Sequence, residues 1–147
     1  RAGMVLGAAG LAVGLALAGC SSQADDSGTS GSDSVAVESP APGEVSLLSA
    51  EQFDAASSQE GVVLLDVRTP EEFAEGHIEG ATNIDFYSPT FGNDIMALDA
   101  GQEYAVYCRS GNRSASTTAF MSENGFDSIY ELQGGIVAWE SAGLPVS

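Results

Sequence analysis

Residues 104–114, YAVYCRSGNRS, decide how the chain is interpreted, because a short apolar run passes directly into a polar loop. The run YAVY predicts a strand that is buried on both faces, and a helix is predicted after the loop, ending at Gly125. A second buried strand is predicted at residues 62–67, VVLLDV. Strand, loop and helix in that order form the unit from which parallel sheets are built.

Short strands are also predicted at residues 45–47, 81–84 and 128–132, where branched and aromatic side chains are concentrated. Gly134 and Gly135 follow the last of these strands and predict a turn with positive φ before a terminal helix. Five strands that alternate with helices imply parallel βαβ units. The sequence therefore predicts an α/β fold in which a mostly parallel sheet carries helices on both faces.

Two of the helix starts carry the pattern of a capping box. Ser49 is followed three positions later by Gln52, and Thr69 is followed at the same spacing by Glu72. A looser helix is predicted over residues 88–98, where a Ser-Pro pair is suited to open it. These signals place one helix directly after each of the first three predicted strands.

Composition and charge exclude several classes of protein. The 147 residues contain 4 Lys+Arg, none of them lysine, against 21 Asp+Glu, and the formal net charge is −17. This balance argues against binding to nucleic acid, which relies on many basic contacts. Two distant cysteines do not make a disulfide scaffold, and a single histidine excludes a multi-histidine metal centre. We expect neither a metal nor an organic cofactor.

The beginning of the chain predicts export and a lipid anchor. Residues 2–19 contain no charged side chain, which is typical of a secretion signal, and Arg1 is the only basic residue before them. Because the sequence starts on Arg1, we expect the charged start of this signal to be truncated. The signal ends in LAGC, which resembles the lipobox of bacterial lipoproteins. We therefore expect lipid on Cys20 and an extracytoplasmic, membrane-anchored protein; an uncleaved anchor and a plain signal are the alternatives.

Residues 20–43 differ from everything that follows. Ser, Gly, Asp and Pro dominate them and aromatic side chains are absent, so they lack the apolar surface needed to repay the entropy of folding. We predict a flexible linker over this range. The folded domain is predicted at residues 44–147, long enough for one hydrophobic core.

The loop after the YAVY strand concentrates positive charge around one cysteine. Beyond the signal only Arg68, Arg109 and Arg113 are basic, and two of these three flank Cys108. A loop between strand and helix directs backbone N–H groups at one point, and such a nest lowers the pKa of a thiol and binds anions. The sequence thus predicts a nucleophilic cysteine that attacks an anionic substrate. The alternative is a buried cysteine that acts only as a small apolar residue.

Three blocks in this order resemble the single-domain rhodaneses, which are sulfurtransferases. They are LLDVRTPEEFAEGHIEGATNI at residues 64–84, the CRSGNRS loop, and L-x-G-G-x-x-A-W at residues 132–139. The resemblance implies a five-stranded parallel sheet and a persulfide on Cys108. It also implies thiosulfate or a related sulfane-sulfur donor, and a thiol or cyanide as acceptor.

The expected mechanism assigns a role to each residue of the loop. The Cys108 thiolate attacks the outer sulfur of the donor, and the loop N–H groups stabilise the negative sulfur that results. The two arginines draw in the anion, although the sequence leaves open which of them points inward. The predicted substrate-binding residues are Arg109, Ser110, Gly111, Asn112, Arg113 and Ser114.

Other functions stay open at this point. Phosphatases of the Cdc25 type share the resembled fold but have an arginine after C-x5, whereas Arg113 follows C-x4 and position C-x5 holds Ser114. Arsenate reductases of rhodanese type also exist, so the loop alone does not determine which anion is bound. A non-enzymatic module that binds a partner or senses sulfur is a further alternative, and so is redox chemistry on a lone thiol.

Four polar positions are assigned by weighing structure against chemistry. Asp66 and Arg68 are predicted to stabilise the chain after a buried strand rather than to contact substrate. His77 is predicted to be structural, because a thiolate in a nest of N–H groups needs no base. Ser114 is predicted either to hydrogen-bond the cysteine sulfur or to cap the helix that follows.

Overall fold

The computed structural model describes residues 37–147, and these form five strands and five helices in alternation. The sequence predictions for residues 1–36, including the signal and Cys20, lie outside the described residues. The elements in chain order are β1 (Glu44–Leu48), α1 (Ala50–Ser57), β2 (Val62–Asp66), α2 (Pro70–Glu75), β3 (Thr82–Asn83), α3 (Phe91–Met96), β4 (Glu103–Tyr107), α4 (Asn112–Glu123), β5 (Ser128–Leu132) and α5 (Gly135–Ser141).

All five strands join one sheet in the order β1-β5-β4-β2-β3, and every pair is parallel. The predicted α/β fold is confirmed. Strand β4 occupies the centre of the sheet between β2 and β5. Its carboxyl end therefore lies in the middle of the row formed by the carboxyl ends of the five strands. Chain segments that leave this edge are well placed for ligand binding.

Each face of the sheet has its own apolar core. One core, with Phe53, Tyr107 and Trp139, lies under α1 and α5; the second, with Val106 and Met121, lies under α3 and α4. The alternation of side chains along the strands explains the division, because successive residues point to opposite faces. Helices therefore cover both faces, as predicted.

The capping boxes are present as predicted. The Ser49 and Thr69 side chains each accept a hydrogen bond from the backbone N–H three residues on, and the Gln52 and Glu72 side chains each accept one from the N–H of the cap residue. Each box satisfies two N–H groups that a helix start otherwise leaves without partners. The entry of both helices is thus fixed by local sequence.

Two predicted elements are shorter than expected. The predicted helix over residues 88–98 begins only at Phe91, because the Ser88 hydroxyl accepts the Thr90 N–H and holds a turn there. The predicted strand at residues 81–84 has only two residues in the sheet, since it lies at the outer edge beside β2 alone.

Contacts with the domain begin before Glu44. Pro40 is buried, and its carbonyl oxygen accepts a hydrogen bond from Ser128 Oγ at 3.3 Å. The Val37 carbonyl oxygen accepts from Gln59 Nε2 at 3.4 Å, and its side chain packs against the core under α1. These two apolar residues interrupt a polar segment, which explains why the last part of the predicted linker lies against the domain.

Candidate active site

Cys108 lies directly after the central strand β4, and a short loop leads from it into helix α4. The loop can turn tightly because Gly111 precedes the helix with a φ of 109°, a conformation that other residues rarely adopt. The Cys108 side chain is buried. The structure thus places the predicted nucleophile at the carboxyl end of the middle strand, where sheets of this type bind ligands.

The sulfur of Cys108 faces hydrogen-bond donors of the loop. The Gly111 N–H donates to Sγ at 3.1 Å, and Ser114 Oγ lies 3.5 Å from Sγ. Burial alone would raise the pKa of the Cys108 thiol, but the Ser114 hydroxyl and the N–H groups of Ser114, Gly111 and Ser110 outweigh it. The pKa therefore lies below its ordinary value, and the arrangement favours a thiolate.

Helix α5 holds the loop from behind. The Ile136 N–H donates to the Cys108 carbonyl at 2.9 Å, and the Val137 N–H donates to the Arg109 carbonyl at 3.2 Å. Gly135 has a φ of 63° and passes so close that an added Cβ would lie 2.4 Å from the Arg109 carbonyl oxygen. The predicted positive φ at the paired glycines is confirmed, and the close approach explains why no side chain fits there.

The two loop arginines differ in their surroundings. The Arg113 guanidinium donates to both carboxylate oxygens of Glu72 on α2, at 2.7 and 2.8 Å. The hydrogen bond from Arg113 lowers the pKa of Glu72 to about 2, and the same bond raises the pKa of Arg113. The Arg113 guanidinium also lies 5.6 Å from the ring centre of Tyr87. This side chain therefore ties the loop to α2.

Arg109 is exposed and lines the wall of a cleft of about 400 Å³. Arg68 and Glu72 line the same cleft, together with Val137 and Glu140 of α5. Of the two loop arginines, Arg109 is the one that lines this cleft. A larger cleft of about 620 Å³ lies beside Trp139 and contains no residue of the loop.

The remaining predicted loop residues present their backbone more than their side chains. Ser110 and Asn112 are exposed, and the N–H of Ser110 is among those that favour the Cys108 thiolate. Ser114 Oγ contacts the sulfur, so the first of its two predicted roles has a geometric basis. It also lies 3.0 Å from the Gly111 carbonyl oxygen.

Asp66, at the end of β2, and Arg68 form an ion pair with one another. Arg68 Nε lies 3.0 Å from both carboxylate oxygens of Asp66, and Arg68 Nη2 lies 2.6 Å from Asp66 Oδ2. Both residues are buried, and Arg68 Nη2 also donates to the Gly76 carbonyl at 2.7 Å. Hydrogen bonds to Asp66 raise the pKa of Arg68 although burial opposes this. These contacts fit the predicted structural role.

His77 makes structural contacts as well. Its ring stacks on Phe73 with 3.8 Å between ring centres, and its Nδ1 lies 3.0 Å from the Phe73 carbonyl oxygen. Its backbone exchanges two hydrogen bonds with Ser147. These contacts join α2 to the end of the chain, in keeping with the predicted structural role.

One polar residue near Cys108 was missed at the sequence level. Glu131 of β5 is only 6% exposed, and its carboxylate accepts hydrogen bonds from Ser114 Oγ at 2.9 Å and Thr118 Oγ1 at 3.1 Å. The signal was present in the sequence, because a carboxylate inside the predicted buried strand SIYEL is an exception that needs a partner.

Residues 37–147 contain no group of three His, Cys, Asp or Glu side chains arranged to hold a metal ion. In the same range no helix has both the length and the apolar character to cross a membrane.

Fold and site together define an α/β protein with a cysteine in an N–H-lined loop after its central parallel strand. The model of the Rhodanese-like domain family matches residues 49–142. This chain belongs to that family.

Relatives of this chain carry sulfurtransferase names. It is 36% identical over 87 residues to a sulfurtransferase of Allochromatium vinosum, covering 59% of this chain and 79% of the relative. It is 38% identical over 82 residues to the thiosulfate sulfurtransferase GlpE of Pseudomonas entomophila, covering 56% and 73%. The crystal structure of a rhodanese-related protein from Thermoplasma volcanium superposes with a TM-score of 0.61 at 31% identity, over 69% of this chain and 97% of that one.

Proposed function

We propose that this chain is a sulfurtransferase that carries sulfane sulfur as a persulfide on Cys108. The donor is thiosulfate or a related sulfane-sulfur anion, and the acceptor is cyanide or a thiol. The observation that carries the proposal is the Gly111 N–H directed at Cys108 Sγ from 3.1 Å, within a loop that favours the thiolate. The sulfurtransferase names of the relatives support the same reaction class.

The first half of the reaction loads the cysteine. The Cys108 thiolate attacks the outer sulfur of thiosulfate, a new S–S bond forms, and sulfite leaves with the electron pair of the bond that breaks. The terminal sulfur of the persulfide then carries the negative charge, and N–H groups of the loop stabilise it. Arg109, exposed at the cleft, attracts the donor and holds its sulfonate end.

The second half of the reaction returns the enzyme to its starting state. Cyanide or a thiolate attacks the outer sulfur of the persulfide, and the Cys108 thiolate is released as leaving group. The two half-reactions share one site, so the kinetics are ping-pong.

The test is the intact mass of the chain after incubation with thiosulfate, next to a Cys108→Ser control. A gain of one sulfur atom on the wild type alone, removed by cyanide, is the expected result. The control retains Cys20, so sulfur attached to that cysteine would appear in both samples. A wild type that gains no sulfur while the Cys108 thiol is still titratable would overturn thiosulfate as donor.

Phosphate or arsenate chemistry is the second candidate, and the geometry around Arg113 disfavours it. A loop that encloses a tetrahedral oxyanion needs a guanidinium turned inward, and that of Arg113 is engaged by Glu72. Hydrolysis of a phosphate ester or reduction of arsenate, measured on the same samples, would support this candidate. A partner-binding module without catalysis predicts no turnover of any of these substrates.

We also propose that the protein is a lipoprotein on the outer side of the cytoplasmic membrane, lipid-anchored through Cys20. The support is the sequence alone: an apolar run over residues 2–19, LAGC at its end, and a polar segment after it. The test is membrane fractionation of cells that express the chain or its Cys20→Ser variant. Wild type in the membrane fraction and variant in the soluble extracytoplasmic fraction is expected; equal distribution would overturn the anchor.

A further inference from the structure

Glu131 is a buried carboxylate that the sulfur-transfer steps above do not use. It lies on β5, next to the central strand, and is 6% exposed. Burying a carboxylate costs several kcal/mol unless it is paired. Its hydrogen-bond partners are the hydroxyl groups of Ser114 and Thr118 on α4, and neither carries a charge.

Hydrogen bonds link Glu131 to one other titratable group, the thiol of Cys108. Its register neighbours in the sheet are Leu47 on β1 and Val106 on β4, both apolar. Helix α4 covers it with the two hydroxyl groups. Through Ser114 Oγ it connects to Cys108, with 2.9 Å from Oγ to Glu131 Oε1 and 3.5 Å from Oγ to Sγ.

Other charged groups near the loop are engaged elsewhere or face solvent. Arg113 of α4 is paired with Glu72 of α2, and Arg68 after β2 is paired with Asp66. Arg109 of the loop is exposed at the cleft. Glu131 itself therefore lies between apolar strand neighbours and two hydroxyl groups of α4.

The direction of the hydrogen bonds follows from counting hydrogens. A serine hydroxyl donates one hydrogen and accepts on its lone pairs. Glu131 Oε1 and the Gly111 carbonyl both lie within reach of that hydrogen, and the charged carboxylate is the stronger acceptor. When Ser114 donates to Glu131, its oxygen is free to accept the thiol hydrogen of Cys108.

We propose that Glu131 receives the thiol proton of Cys108 through Ser114 when the thiolate forms. The S–H bond of Cys108 breaks and its proton binds Ser114 Oγ, while the former hydroxyl proton of Ser114 binds Glu131 Oε1. Glu131 becomes a neutral carboxylic acid, Ser114 now donates to the thiolate, and no electrons are transferred. Glu131 is thus a positioning and proton-storing residue that acts through Ser114.

The gain is that the thiolate can form while the buried site holds one negative charge and not two. Before the transfer the charge is on Glu131, and after it the charge is on Sγ, where the Gly111 N–H stabilises it. Two neighbouring anions in a buried site repel strongly, as in paired carboxylates that share one proton. The transfer keeps one charge and moves it to the atom that reacts.

The test is the rate at which iodoacetamide alkylates Cys108 as a function of pH, read from the mass of its peptide and without any sulfur donor. The pair of Cys108 and Glu131 holds two protons at low pH and shares one proton at intermediate pH. The wild type should therefore lose these protons in two separate steps. A pH-independent shoulder should separate them, where a fixed fraction of the protein is thiolate. Glu131→Gln can neither take up the proton nor carry a negative charge, so we expect a single step. Without the repulsion from a second anion, about tenfold more thiolate should be present just below the second wild-type step.

Control variants separate this role from packing. Glu103→Gln removes the same charge at the far end of β4 and should keep the two-step profile. Ser114→Ala removes the connection but keeps Glu131, and should lose the shoulder. A wild-type profile with one step overturns the proposal without any variant, and so does a Glu131→Gln profile that superimposes on the wild type.

This inference goes beyond the proposed function, and its test can fail separately. Alkylation needs only the thiol of Cys108, so a shoulder that disappears in Glu131→Gln supports the proton transfer even if thiosulfate is not the donor. A persulfide that forms on a protein with a one-step profile would support sulfur transfer and overturn the role of Glu131.

Discussion

The carboxyl ends of the neighbouring strands β2 and β4 both carry charged side chains, and they use them in opposite ways. At the end of β2, Asp66 and Arg68 pair with one another and are buried. After β4, the N–H groups of the loop converge on Cys108 Sγ, and Arg109 faces an open cleft. Two adjacent ends of one sheet thus differ in whether their polar groups have partners within the fold.

The contrast between the two strand ends indicates where reactive groups are expected in a sheet of this kind. A polar group that is satisfied by its neighbours contributes to stability and specificity of folding, whereas a converging set of donors around a nucleophile is available to a substrate. Substitutions after β2 should therefore change stability, and substitutions after β4 should change reactivity.

Cys108→Ser should abolish sulfur transfer, with a loss of more than about a thousandfold, because the nucleophile is removed. The melting temperature should stay close to that of the wild type, since the hydroxyl fills nearly the same volume. Thiocyanate formation from thiosulfate and cyanide measures the first quantity, and calorimetry the second. Retained turnover in the variant would place the reactive group elsewhere.

Asp66→Ala should lower the free energy of unfolding by about 3–5 kcal/mol, because it leaves the buried Arg68 guanidinium without its partner. Denaturant titration measures the loss. The double variant Asp66→Leu/Arg68→Met removes both charges and should be clearly more stable than the single variant. If the two unfold alike, the pair does not act as a closed unit.

Gly135→Ala should destabilise the fold and slow sulfur transfer, because the added Cβ meets the Arg109 carbonyl behind the reactive loop. Gly143→Ala is the matched control: its φ is 77°, but nothing lies within 4 Å of its added Cβ. The backbone strain of either change costs about 1–2 kcal/mol. Only Gly135→Ala should cost more than this and also reduce the rate; equal behaviour would contradict the role of the close approach.

Glu72→Gln should make the free energy of unfolding fall less steeply as the pH is lowered. The pKa of Glu72 is about 2 in the folded chain against an ordinary 4.5, so its pairing with Arg113 stabilises the fold above pH 4.5. This contribution is lost as the pH falls toward about 2. For a partly exposed pair we expect on the order of 1–2 kcal/mol. Melting temperatures of both proteins between pH 6 and about pH 2 measure it, and parallel curves would contradict the pairing.

Arg109→Gln should have the smallest effect, a rise in the KM for thiosulfate of about threefold to tenfold with stability changed by less than about 0.5 kcal/mol. The reason is that Arg109 is exposed at the cleft, whereas Arg113 is engaged by Glu72. Arg113→Gln is the companion variant and should lower stability more than Arg109→Gln does. The reverse order would exchange the roles of the two arginines.

Local signals in the sequence were enough for most of the fold. Capping boxes at Ser49 and Thr69, the apolar strands and the paired glycines each act within a few residues, so their structural outcome can be predicted. The edge strand β3 and the start of α3 were mispredicted, because a turn at Ser88 and a position at the sheet edge depend on neighbours outside the local pattern.

The sequence predicted the loop that holds Cys108, but not the side-chain pairs that surround it. The position of Cys108 after a buried strand follows from chain order. The pairing of Arg113 with Glu72 joins residues 41 positions apart, and that of Ser114 with Glu131 joins residues 17 apart. Such partners are determined by how the helices pack on the sheet, which a reading of local spacing does not supply.

The bonds from α5 to the loop carbonyls also bear on how the site responds when charge appears on sulfur. The Cys108 and Arg109 carbonyls accept hydrogen bonds from the N–H groups of Ile136 and Val137. The peptide units that contain these carbonyls are therefore not free to flip and turn an oxygen toward Sγ. Their dipoles keep one orientation whether the sulfur is a thiol, a thiolate or a persulfide. The reorganisation energy of the loop is therefore small, and the polarity of the site is built in during folding.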